Sequence, residues 1–187
     1  MHELILGGAR SGKSSLAESR ARAWQAAAPD RQVIYLATAQ AGDGEMSRRI
    51  AAHRERRPAS WPTVESPLQL AATLRQHAAA DRLILVDCLT LWLSNLLFAG
   101  RSAAQAEADQ AIDCPLLSGE IAALLATLPT LPGPVILVSN EVGWGLVPMH
   151  PVSRLFGDEQ GRLNQRVAAV CDRVTLVAAG LPLPLKG

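Results

Sequence analysis

Aromatic residues are scarce here: four tryptophans, one tyrosine and two phenylalanines in 187 residues. That argues against a platform of stacked aromatics of the kind that carries single-stranded nucleic acid. An excess of one charge is missing as well. Eighteen lysines and arginines face seventeen aspartates and glutamates, a formal net charge of +1. No global field therefore draws the chain to nucleic acid or to a membrane surface. Cys88, Cys114 and Cys171 are far apart, odd in number and without a CxxC pair. This pattern supports neither a disulfide framework nor a zinc site, and reads as small buried hydrophobes in a reducing compartment. The longest apolar tract, 83–100, is interrupted by Asp87, Ser94 and Asn95, too polar for a membrane span. Met1-His2-Glu3 has no basic or long apolar signal-peptide character. The expectation is a cytoplasmic protein with no nucleic-acid and no membrane partner.

What is present is enough apolar material for one core: 49% of residues are hydrophobic and 19% charged. The length fits a single domain, 1–187. Five continuous apolar runs, at 4–6, 33–36, 83–86, 135–138 and 174–177, read as strands buried on both faces. Helical patterns fall at 13–28, 45–57, 67–79, 89–99, 103–128 and 153–170. Residues 102–110 read as a solvated helix start, and 130–134 as a helix-to-strand turn. Strand alternating with helix predicts a mainly parallel sheet covered on both faces. Ligands then gather beyond the carboxyl ends of the strands. That points to residues 7–14, Thr38 and its neighbours, Asp87, and Ser139-Asn140-Glu141.

Gly7-Gly8-Ala9-Arg10-Ser11-Gly12-Lys13-Ser14 fits the P-loop pattern G-x-x-x-x-G-K-[ST]. It follows a strand and opens a helix, as the chemistry demands. Glycines let backbone N–H groups turn toward phosphate oxygens, and the helix presents its positive end. Lys13 reaches the β- and γ-phosphates, turned to ligand or solvent rather than to the core, and the Ser14 hydroxyl ligates Mg²⁺. The fold class expected is α/β, a P-loop NTPase-type three-layer sandwich with a mainly parallel central sheet. Asp87 ends an apolar strand, where a Mg²⁺-directed carboxylate belongs. The competing reading is a strand-end Asp capping the helix that begins near Leu89, and the two roles are compatible. A guanine-reading Asn-Lys-x-Asp is missing after the late strand, where Ser139-Asn140-Glu141-Val142 stands, which argues against a GTPase switch. The charge balance supplies no basic track for a nucleic-acid motor. Small-molecule phosphoryl or nucleotidyl transfer leads.

The segment 45–58 reads as a helix ended by Pro58. Met46, Ile50 and His53 share a face, and Arg49, Arg56 and Arg57 lie three or four positions from His53. A neutral imidazole among guanidinium groups is a nucleophile suited to phosphorus. On pattern alone, an Arg-rich helix is usually just a solvated face.

The P-loop, Tyr35-Leu36-Ala37-Thr38-Ala39-Gln40, and Glu45-Met46 through His53 to Arg57-Pro58 form an ordered series. Trp61-Pro62-Thr63-Val64-Glu65, Val86-Asp87-Cys88-Leu89-Thr90, Ser139-Asn140-Glu141-Val142-Gly143 and Gly161-Arg162-Leu163-Asn164-Gln165 continue it. The series resembles the bifunctional adenosylcobinamide kinase / adenosylcobinamide-phosphate guanylyltransferase family of cobalamin biosynthesis. It spans nearly the whole chain, leaving out mainly 100–134 and the tail.

The resemblance implies two reactions. One phosphorylates the aminopropanol hydroxyl of adenosylcobinamide with ATP or GTP. The other moves GMP from GTP to adenosylcobinamide phosphate through a guanylylated histidine, giving adenosylcobinamide-GDP and pyrophosphate. His53 matches that histidine; where the family motif can carry two adjacent histidines, Ala52 precedes a single one here. The resemblance further implies catalytic roles for His53, Lys13 and Asp87, and Mg²⁺ held by Ser14 and Asp87. Nucleotide contacts extend to Thr38, Ala39, Gln40, Arg54, Glu55, Arg56, Arg57, Glu65 and Asp87, and the working form is a homotrimer. Glu65 is either an acceptor for guanine N–H donors or an exposed carboxylate. Trp24, Trp61, Trp92 and Trp144 read as packing residues, Trp144 also as a contact for the corrinoid. His2 and His77 read as surface residues, and His150 as a loop residue without a role.

Overall fold

A computed structural model describes residues 1–39 and 57–187. Seven strands form one sheet in the order β3-β2-β4-β5-β1-β6-β7. They are β1 (His2–Gly7), β2 (Gln32–Ala37), β3 (Thr63–Glu65), β4 (Arg82–Asp87), β5 (Val135–Asn140), β6 (Arg173–Ala178) and β7 (Leu181–Lys186). All neighbours are parallel except β6 and β7. The central strands are buried along nearly their whole length, which is why they read as unbroken apolar runs.

Side-chain alternation splits the core into two layers. Ile5, Val33, Tyr35, Leu85 and Val138 pack against Ala17 and Ala21 of α1 (Lys13–Ala26). Leu4, Leu36, Val86 and Leu137 face the opposite way. They meet α2 (Leu70–His77), α3 (Leu89–Ala99), α5 (Pro115–Thr127) and α6 (Pro151–Val170). A short α4 (Ser102–Glu107) packs against α6 through Ala103, Ala106 and Val152. The expected α/β three-layer sandwich with a mainly parallel sheet is present.

Three expectations need correction. The single helix at 103–128 is two, α4 and α5. Pro115 lacks an N–H and holds Cys114 extended, at φ −134° and ψ 94°, so the chain leaves helical geometry and starts again. Gln105 and Asp113 staple the intervening loop through two hydrogen bonds of 3.2 and 3.1 Å. Strands β3 and β7 were not foreseen, the first being three residues long and the second interrupted by Pro182 and Pro184. Proline is tolerated on an edge strand, where its missing N–H costs no ladder bond. His2 is buried, not at the surface, because β1 lies between β5 and β6. The expected helix at 45–57 falls, apart from Arg57, outside the described residues.

Candidate active site

Six parallel strands end at one rim. Register pairs Gly7 with Asn140, Ala37 with Asp87, Ala37 with Glu65, and Gly7 with Val177. The P-loop, Asp87, Glu65 and the Asn140-Glu141 corner therefore open on the same edge. The strand order places β5 between the P-loop strand and the Asp87 strand.

The loop between β1 and α1 is tight. A side chain at Gly7 would meet Ser11 Oγ and the Val177 carbonyl at 2.5 Å, so only glycine fits. Gly12 caps α1 at φ 100°, a left-handed conformation natural to glycine. The turn is fastened by Ser11 N–H to Gly8 C=O at 3.3 Å and Gly180 N–H to Ser11 C=O at 2.8 Å. Lys13 lies in the first turn of the helix and is only 9% exposed. Its Nζ donates to the Gly8 carbonyl at 3.0 Å. The lysine is thus folded onto its own loop instead of reaching into solvent. Burial pulls its pKa below the ordinary value, while Cys88 and Asp87 pull the other way. Ser14 follows it on the same turn, half-buried.

Asp87 sits at the end of β4, held from β2. The Tyr35 hydroxyl donates to Asp87 Oδ2 at 2.9 Å. Burial first, and Asp87 second, push the tyrosine pKa up, so the phenol stays a donor. The Arg57 guanidinium stacks 3.5 Å from the centre of that ring. Thr38 is fully buried, and its single oxygen serves the next peptide twice. It donates to the Cys88 carbonyl at 2.7 Å and accepts from the Cys88 N–H at 2.9 Å. Asn95 of α3 donates to the Thr38 carbonyl at 2.8 Å, tying the same corner to the helix. The Asp87–Cys88 peptide is cis. Cys88 lies buried beside Asp87, and burial pushes its thiol up to about 11.

The structure therefore gathers residues 7–14, Thr38, Ala39, Glu65 and Asp87 at one rim, with Arg57 at its flank through Tyr35. Glu65 is exposed at the end of the edge strand β3. Gln40, His53, Arg54, Glu55 and Arg56 lie outside the described residues. Three positioning groups escaped the sequence reading: Tyr35, Asn95, and the amide cluster of Gln160 and Asn164. Tyr35 and Asn164 stood within quoted stretches, yet in an apolar strand and a helix nothing announces a polar partner far along the chain. Trp61 and Trp92 are buried packing residues as read, whereas Trp144 is 73% exposed. His150 caps α6 and approaches Glu107 at 3.5 Å. All three cysteines are free and buried.

The family model for cobinamide kinase / cobinamide phosphate guanyltransferase matches residues 3–185. The chain belongs to this family. It is 57% identical over 187 residues to the bifunctional adenosylcobalamin biosynthesis protein CobP of Pseudomonas aeruginosa, covering all of this chain and 98% of that one. Identity to the bifunctional adenosylcobalamin biosynthesis protein CobU of Salmonella typhimurium is 42% over 184 residues, 98% of each chain. The CobU protein of Escherichia coli is 38% identical over the same length and coverage. Among the described residues no helix is long and apolar enough to cross a membrane.

Proposed function

We propose that this enzyme of cobalamin biosynthesis phosphorylates adenosylcobinamide with ATP or GTP. It then transfers GMP from GTP to adenosylcobinamide phosphate through a guanylylated His53. The observation that carries the reading is the P-loop, with Lys13 folded over Gly8, at the rim that also holds Asp87, in a chain matched from end to end by this family. Residues 7–14 wrap the phosphates with backbone N–H groups, and Lys13 swings from the Gly8 carbonyl to the β- and γ-oxygens. That exchange is cheap, because one carbonyl acceptor is traded for charged ones.

Mg²⁺ suits the donors at hand. It takes one or two carboxylates with substrate phosphates and water, and Asp87 with the Ser14 hydroxyl supplies hard oxygen ligands of that kind. When bound, the ion neutralises charge on the phosphates. The rest is done by the chain. Tyr35 orients Asp87, and Thr38 holds the Cys88 peptide, so Thr38 serves the nucleotide through the Asp87–Cys88 corner. Ala39, Gln40, Arg54, Glu55, Arg56 and Arg57 line the nucleotide beyond the P-loop, and Glu65 accepts from the guanine N–H groups. The His53 imidazole attacks the α-phosphorus, pyrophosphate departs against Lys13, and the phosphoramidate hands GMP to the acceptor phosphate.

The working form is a cytoplasmic homotrimer, without nucleic-acid or membrane partners. Apolar side chains left exposed support an assembly: Leu181, Leu183 and Leu185 along β7, and Trp144, Leu146, Val147 and Met149 in the loop before α6. Incubation with cobinamide, GTP and Mg²⁺ tests the function. Cobinamide phosphate should form first and cobinamide-GDP with pyrophosphate second. Nucleotide binding without either product would mean a binding protein instead.

A further inference from the structure

Behind the carboxyl end of β5 lies a buried polar cluster that the P-loop does not need for its own fold. Ser139 and Gln160 are fully buried and Asn164 is 4% exposed. Ser139 Oγ donates to Asn164 Oδ1 at 2.7 Å, and Gln160 Nε2 donates to both Ser139 Oγ and Asn164 Oδ1 at 3.0 Å. Two donors on Asn164 Oδ1 fix which way its amide faces. Its Nδ2 must then point outward, and it donates to the Asn140 carbonyl at 3.0 Å and to Glu141 Oε1 at 2.9 Å.

Burying three amide and hydroxyl side chains where apolar ones would pack is costly, the more so because Gln160 Oε1 is buried without a hydrogen-bond partner among the described residues. What the cluster delivers is one carboxylate held in one orientation. Glu141 is half-buried, and its N–H donates to the Gly7 carbonyl at 3.2 Å, so the backbone that carries it is fastened to the start of the P-loop. β5 runs between β1 and β4, which places Glu141 between the P-loop and Asp87 along the rim. Beside it opens a groove of about 330 Å³ that runs under α6 from Leu6, Glu141 and Asn164 to Val174, Leu185 and Lys186. That volume takes a short amino-alcohol arm and not a macrocycle.

We propose that Glu141 is the general base of the kinase half-reaction, with the acceptor's aminopropanol arm seated in this groove. The assignment rests on the function proposed above. The Glu141 carboxylate takes the hydroxyl proton as the oxygen attacks the γ-phosphorus. The new O–P bond forms, the bond from the γ-phosphorus to the β,γ-bridging oxygen breaks, and the nucleoside diphosphate leaves with that electron pair. Glu141 passes its proton to water. The second reaction makes no such demand, because its acceptor is a phosphate already ionised. One side chain thus separates the two activities.

The test is Glu141→Gln, assayed in both reactions with the full chain. Glutamine keeps an oxygen for Asn164 to donate to, and guanylyl transfer to supplied cobinamide phosphate reports that the fold and GTP site are intact. Phosphorylation of cobinamide should fall about 100-fold or more in kcat, the usual weight of a general base. Nucleotide KM should hold, and guanylyl transfer should lose far less than phosphorylation does. Retained phosphorylation, or equal loss of both reactions, would overturn the assignment. If the unsubstituted chain performs neither reaction, the functional reading fails instead.

Discussion

The hydroxyl of Tyr35 and the carboxylate of Asp87 meet at 2.9 Å across adjacent strands, two rungs apart on the same face of the sheet. Only a tyrosine at that position places a donor at the strand end while its ring fills the layer against α1. Tyr35→Phe keeps the ring and its stack with Arg57 and removes the donor. Asp87 then loses a charge-assisted hydrogen bond, worth about 1.5–3 kcal/mol. The Mg²⁺ concentration for half-maximal rate should rise several-fold. Mn²⁺ binding with a non-hydrolysable GTP analogue, followed by electron paramagnetic resonance, should weaken in parallel. Unaltered Mn²⁺ affinity would mean that Tyr35 only packs.

Cys88, not Asp87, holds the N-cap position of α3, so the cap expected of Asp87 falls one residue later. Asp87→Asn separates a metal ligand from a mere partner of Tyr35: the amide oxygen still accepts from the hydroxyl, yet the charge is lost. Activity should drop and recover partly as Mg²⁺ is raised. Parental activity at ordinary Mg²⁺ would leave Asp87 as a partner of Tyr35 alone.

Thr38 is the hinge of the same corner. Thr38→Val keeps the shape and strands the N–H of Cys88 in a buried site, while the Cys88 carbonyl keeps the Trp92 N–H at 3.2 Å. The unsatisfied N–H costs about 1–3 kcal/mol, so the urea midpoint should fall. Thr38→Ser should restore most of it. A valine variant as stable as the parent would show that water replaces the hydroxyl.

Legibility in the sequence followed the range of each interaction. Continuous apolar runs exposed five of the seven strands, because a parallel sheet covered on both faces leaves them no polar side. The P-loop was legible because its glycines, lysine and serine act within eight residues. Thr38 and Asp87 were legible as strand-end residues, but their contacts with Tyr35 and Asn95 were not. Tyr35 and Asp87 are 52 positions apart, and Thr38 and Asn95 are 57 apart. A polar tip on an apolar strand looks like core until its partner is seen. β7 was hidden for a different reason: Pro182 and Pro184 argue against any strand except one at an edge.

His2 makes stability depend on pH. Burial, with the neighbouring N-terminal charge, holds its pKa below 6.5, while Asp172 opposes. Below about pH 6.5 the unfolded chain therefore binds more protons than the folded one, and stability falls as the pH drops toward the folded pKa. Urea unfolding at about pH 7.5 and 5.5 should show a lower midpoint at the acid value. His2→Leu should flatten that difference. An unchanged slope in the variant would assign the acid sensitivity to carboxylates.

The claim on which the account turns is covalent GMP on His53. Mass spectrometry after incubation with GTP and Mg²⁺ tests it most directly. The peptide containing His53 should gain the mass of a GMP group, and the adduct should be labile in acid and stable in alkali, as a P–N bond requires. His53→Ala should lose the adduct and guanylyl transfer, while phosphorylation of cobinamide survives, because a hydroxyl reaches the γ-phosphate without that nucleophile. An adduct mapped to another residue, or full guanylyl transfer by His53→Ala, would contradict the account.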